Sequence, residues 1–211
     1  MKIHGIRIYP QSVEVVRGVG APIFVHGSVS DDYSDFFYAF RPLAALWRGH
    51  VFANDFAVGY DERGRREDPM PGLREQFGSS LLVADIDSQL LLLRGDDFEH
   101  WGKSMYFCEG AFLPIFGETP SFELLKRLYW GRDFRLTSDT WPSQMRGVLH
   151  MWDDIYWQLF TTERSDLDAL MRAHTGDPKL EMYFVDLDRE YPNPSNQQLQ
   201  LATLADERID G

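Results

Sequence analysis

Two apolar runs, Val148–Trp152 and Ile155–Thr161, flank the pair Asp153-Asp154. Two acidic residues between strand-like runs suit a tight turn, so the segment predicts a β-hairpin. A hairpin commits its neighbours to antiparallel pairing, and the segments around it are spaced to supply strands and covering helices. Downstream, Ser165 with Asp168 three residues on has the form of a capping box. Leu167, Leu170, Met171 and His174 then share one helical face, with Gly176 placed to end the helix. Leu180 to Leu187 reads as a final strand, and Tyr191-Pro192-Asn193-Pro194 stops regular structure.

Upstream, strands are expected at Lys2–Tyr9, Ser12–Arg17, Ile23–His26 and Phe52–Tyr60. Leu81–Ala84 and Gln89–Leu93 form a second hairpin or one bent strand, and Lys103–Phe107 and Ala111–Phe116 are further strand runs. Asp31 to Arg48 has the clearest helical spacing, with Tyr33, Phe36, Phe37, Phe40, Leu43, Leu46 and Trp47 on a broad apolar face. Pro42 inside it must kink or split that helix. Asp61 to Gly72 is polar and proline-containing and reads as an exposed loop. Thr119-Pro120 predicts another helix start, with Phe122, Leu125, Leu128 and Tyr129 on its face and Gly131 at its end. These elements predict an α+β fold: a single domain over residues 1–192, mainly antiparallel sheet with helices packed against it. Residues 193–211 are expected to be a polar tail, with a short closing helix through Leu199, Leu201 and Leu204.

Charge narrows the partners. The 211 residues carry 33 acids against 21 bases, a net charge of −12. That balance argues against nucleic acid and against anionic membranes, both of which draw on clustered Lys and Arg. It suits a cationic partner, whose encounter an acidic surface accelerates. The excess is uneven: residues 151–211 hold 13 acids and 5 bases. No apolar stretch approaches the roughly 20 residues that span a bilayer. The N-terminal Met1-Lys2-Ile3-His4-Gly5 lacks a signal-peptide core, so the cytoplasm is the expected location.

Catalytic signals are weak. Asp85/Asp87, Asp96/Asp97, Asp153/Asp154 and Asp186/Asp188 are acid pairs, and metal-dependent hydrolysis needs such groups to converge. Asp186 and Asp188 would face one side of a strand, and with His150 they define the enzyme alternative. The six histidines are dispersed, and the single cysteine, Cys108, sits in an apolar run that suits a buried thiol. Neither Ser79-Ser80 nor Gly18-Val19-Gly20 completes a nucleophile elbow or a nucleotide-binding turn. No cofactor is expected. Trp141, Trp152 and Trp157 cluster with Tyr156 and Phe160; most belong to a core, but an aromatic at the edge of an acidic hairpin is a common interface anchor. The expected partner-binding residues are therefore Trp152, Asp153, Asp154, Tyr156, Asp186 and Asp188.

The segment from Gly147 through Trp157, together with Met182–Asp188, resembles the immunity proteins of bacterial polymorphic-toxin and type VI secretion systems. The aromatic helix ending Leu43-Ala44-Ala45-Leu46-Trp47 is similar to immunity proteins encoded beside restriction-endonuclease-like toxins. The resemblance implies a non-enzymatic protein that binds and neutralises a cognate toxin in the cytoplasm, a basic nuclease being the natural candidate. Monomer and homodimer both remain open, as does a structural or phage-related interaction role.

Overall fold

The hairpin around Asp153-Asp154 lies inside a wide antiparallel sheet. The structure, a computed structural model, describes residues 2–10, 14–17, 22–25, 34–104, 111–132, 134–152, 156–177, 180–185 and 187–190. In chain order, the strands are β1 (His4–Pro10), β2 (Glu14–Arg17), β3 (Pro22–Val25), β4 (Val51–Asp55), β5 (Leu81–Asp85), β6 (Leu90–Arg94), β7 (Ala111–Phe116), β8 (Met145–Trp152), β9 (Tyr156–Thr161) and β10 (Leu180–Val185). The helices are α1 (Ser34–Phe40), α2 (Met70–Phe77), α3 (Phe98–Ser104), α4 (Phe122–Trp130), α5 (Arg164–His174) and α6 (Leu187–Glu190). Eight strands make one sheet in the order β10-β1-β9-β8-β7-β4-β6-β5, and β2 pairs with β3 in a separate ribbon. Every neighbouring pair is antiparallel. This is an α+β fold, as the hairpin pattern predicts.

Both faces of the sheet are covered, which explains why β6 reads as an unbroken apolar run: Leu90 to Leu93 are all buried. Leu91 and Leu93 join one core with Ile6, Ile8, Phe52, Leu149, Trp157 and Leu159. Phe40, Trp47, Phe98, Trp101, Leu167 and Leu170 from the helical side close that core. Trp47 meets Phe98 edge to face with ring centroids 4.7 Å apart, a favoured aromatic geometry. Leu90 and Leu92 join the opposite core, where α4 contributes Leu125, Leu128 and Tyr129. The Tyr129 hydroxyl donates to the Phe112 carbonyl, which satisfies a polar tip inside that layer.

Several local expectations shift. Pro42 splits the aromatic helix: α1 ends at Phe40 and a 3-10 turn spans Arg41–Leu43. The polar loop after Asp61 stops at Pro69, because Pro71 is tolerated in the first turn of α2. Lys103 and Ser104 end α3 instead of opening a strand, since Phe98 and Trp101 bury at helical spacing. The cap of α4 is Ser121, whose Oγ accepts from the Leu124 amide at 3.3 Å. Ser165 is not a cap: Glu163 precedes α5 without a side-chain bond, and Asp166 is drawn inward to Arg146 instead. The last strand stops at Val185, and α6 begins at Leu187, whose side chain is buried in the α4-side core.

Cys108, the 192/193 boundary, the tail and its closing helix lie outside the described residues. Among the described residues, no helix is long and apolar enough to cross a membrane.

Candidate functional site

The strand registers separate the residues expected to bind a partner. Trp152 stands opposite Tyr156 at the last paired position of β8 and β9. Asp153 and Asp154 lie outside the described residues, as does Asp186. Asp188 is exposed on α6, and its Oδ1 accepts the Ser138 amide at 2.7 Å. The preceding strand ends with Val185 opposite Gly5, Gly5 opposite Phe160 and Phe160 opposite Val148. At about 3.4 Å per residue, Val148 lies roughly 14 Å along β8 from Trp152. Trp152 and Tyr156 therefore sit at one end of the sheet, and Asp188 follows a strand that leaves from the other.

His150 is in the interior. It is 4% exposed, and its Nδ1–H donates to Gln158 Oε1 at 3.0 Å across β8 and β9. Burial pushes its pKa down to about 4, opposed by the Gln158 hydrogen bond and assisted by the nearby Arg7 charge. Two strands, β9 and β1, lie between it and β10, from whose end Asp188 follows. Among the described residues, no group of three or more His, Cys, Asp or Glu side chains is placed to hold a metal ion.

A different surface assembles at the end of the sheet where β5 turns into β6. Trp130, the last residue of α4, is 47% exposed, yet its indole N–H donates to the Ser88 carbonyl at 3.1 Å. Ser88 is fixed in turn: its hydroxyl donates to Asp85 Oδ2 at 2.6 Å. That bond is the main reason the Asp85 carboxyl sits below its usual range. At the same turn, the Arg66 guanidinium donates to the Ile86 carbonyl and lies 3.7 Å from Asp87. Arg66 forms an isolated antiparallel bridge with Tyr60, which is 66% exposed. Asp87, Ser88, Gln89, Lys126 and Trp130 line an open depression of about 510 Å³ between the turn and α4.

The shelf thus offers two large exposed aromatics, Trp130 and Tyr60, linked through Ser88, the turn and Arg66. Their surround is polar, and the turn that joins them is held by local hydrogen bonds. Such an arrangement suits protein recognition: aromatic bodies bury much area at low entropic cost, and polar neighbours fix orientation. Its hydroxyl–carboxylate contact, Ser88 to Asp85, closes the turn. Sequence reasoning missed this surface because its residues come from three distant segments, around Tyr60–Arg66, Asp85–Gln89 and Lys126–Trp130. One signal was present: Trp130 follows Tyr129 directly and falls outside the face formed by Leu125 and Leu128.

No family model matches this chain, and neither a curated protein nor a solved structure matches it.

Proposed function

We propose that this chain is a non-enzymatic inhibitor that binds and neutralises a cognate antibacterial toxin, of nuclease type, in the cytoplasm. The observation that carries the reading is the Trp130–Tyr60 shelf: both aromatics are exposed, Trp130 tied through its indole N–H and Tyr60 through its backbone bridge to Arg66. An aromatic anchor already hydrogen-bonded in the free protein, as Trp130 is, loses less freedom on binding, which favours affinity. The net charge of −12 suits a nuclease, whose surface must carry the positive charge that holds nucleic acid. Acidic side chains would steer the encounter, and the aromatics would supply most of the binding energy. The resemblance to immunity proteins supplies the class of partner.

The test is co-purification with the product of the adjacent gene at low and high salt. Binding should weaken with salt and should be lost in a Trp130→Ala, Tyr60→Ala double variant. Capture of no neighbouring product, or a double variant that binds undiminished, would sink the reading.

A further inference from the structure

The strand beside the shelf, β5, is the last of the sheet. β5 pairs with β6 on one side and, among the described residues, with no strand on the other. Proteins commonly shorten, charge or cover such edges, because free N–H and C=O groups recruit other strands. β5 reads Leu81-Leu82-Val83-Ala84-Asp85, with charge at its last residue alone. Leu82 and Val83 are 36% and 39% exposed, and a register shift leaves Leu82 with no opposite residue on β6. Alongside, α2 and β5 enclose a groove of about 430 Å³ lined by Met70, Arg74, Gly78 and residues 81–84.

We propose that an extended segment of the partner pairs with β5 as a ninth strand, fills this groove with an apolar side chain and sets a carboxylate against Arg74. The proposal rests on the partner-binding reading above. A free backbone edge beside an apolar groove is the arrangement that strand addition uses: backbone bonds give affinity, and alternate side chains give specificity. Among the described residues, Arg74 is the one charged residue that lines the groove, so the complementary group is an anion. Asp85 runs directly into the turn that carries the shelf, so one partner can cover both surfaces.

Charge also argues against a second copy of this chain. Only the short turn Gly78–Ser80 separates α2 from β5, and Met70 and Arg74 line the same groove, so the helix runs back along the strand. With rises of about 1.5 Å per helical and 3.4 Å per strand residue, Arg74 falls level with Val83. Val83 is the middle of β5, so antiparallel self-pairing there would bring two Arg74 guanidinium groups together at the dyad.

The probe is a short capped Thr/Val peptide with one central Glu, compared with the same peptide carrying Lys there. Both are titrated into the isotope-labelled full chain and followed by amide chemical shifts. The Glu peptide should shift the amides of Leu82 to Asp85 saturably and bind up to about fivefold more tightly than the Lys peptide, as expected for a part-exposed ion pair. Arg74→Glu should invert that preference. Absence of shifts at β5, or a preference that ignores the charge at position 74, overturns the proposal. So does sedimentation as a dimer that Val83→Pro converts to monomer, because a second copy would then occupy the edge. The Trp130→Ala, Tyr60→Ala variant should still bind the Glu peptide while losing the toxin, which separates failure of this proposal from failure of the shelf.

Discussion

Asp166 and Arg146 form an ion pair, Oδ1 to Nη2 at 2.6 Å, that ties the first turn of α5 to the start of β8. Asp166 is 1% exposed, and its other oxygen accepts the Thr161 hydroxyl at 3.0 Å. Arg146 Nη1 reaches the Leu46 carbonyl at 3.1 Å and His50 Nε2 at 2.8 Å. The pair thereby joins β8, the end of β9, α5 and the segment after α1. Removing one partner strands a charge in the interior, so Asp166→Ala should cost about 3–5 kcal/mol. The double variant Arg146→Met, Asp166→Leu should cost less than Asp166→Ala alone. Urea unfolding of the three proteins checks the order, and a double variant worse than the single one would show that the pair itself is net stabilising.

Trp130 and Tyr60 should behave oppositely to core aromatics. Each is substantially exposed, so Trp130→Ala and Tyr60→Ala should each change stability by less than about 1 kcal/mol. If they anchor the partner, each should weaken binding by about 2 kcal/mol, roughly 30-fold. Paired thermal melts and titration calorimetry separate these effects. Loss of binding that merely follows loss of folding would remove the shelf from the interface.

Much of the sheet was readable in advance because strand signals are local. The uninterrupted Leu90–Leu93 run and the runs either side of Asp153-Asp154 mark strands without help from distant residues. Pro42 likewise ends α1 by a rule internal to the helix. The misreadings came where tertiary burial decided between local options. In α3, only the packing of Phe98 and Trp101 against Phe52 and Trp47 selects helix. Ser165 with Asp168 reads as a capping box, but the first turn of α5 is held by Asp166, which turns inward onto Arg146 twenty residues earlier. Asp188 and Trp152 are both near acidic, aromatic sequence, yet the strand order sends them to opposite ends of the sheet.

Gly95 is a packing requirement. A Cβ there would lie 2.2 Å from the Trp47 carbonyl and 3.0 Å from that of His50, and both contacts are backbone. The Gly95 amide donates to the same His50 carbonyl at 2.8 Å, so the two segments cannot separate without losing that bond. Gly95→Ala should destabilise by about 3 kcal/mol, as overpacking against rigid neighbours does. Chemical denaturation measures it, and a cost below about 1 kcal/mol would mean that the Trp47–His50 turn yields freely.

His150 should make folding acid-sensitive. Burial holds its pKa at about 4 against an ordinary value of 6.5, so between these pH values the unfolded chain binds a proton that the folded chain refuses. Its contribution is intact above about pH 6.5 and declines as pH falls towards 4, by roughly 3 kcal/mol in all. His150→Gln removes the titrating group. The stability of the wild type relative to this variant should therefore fall across that window and stay level above it. A difference that does not change with pH would mean that His150 protonates in the folded chain as readily as in the unfolded one.

Gln89 connects strain to the shelf. Its φ of +56° lies in the left-handed region, where it is the one non-glycine among the described residues. That conformation costs a side-chain-bearing residue about 1–2 kcal/mol, and it persists here while the Gln89 carbonyl accepts the Phe56 amide at 3.0 Å. Gln89→Gly relieves the strain but adds freedom to the unfolded chain, so stability should rise by no more than about 1 kcal/mol. The same change removes a side chain from the depression beside Trp130. If the shelf is the interface, toxin binding should weaken severalfold as the protein becomes more stable. Stability and affinity rising together would instead make Gln89 a turn residue with no share in recognition.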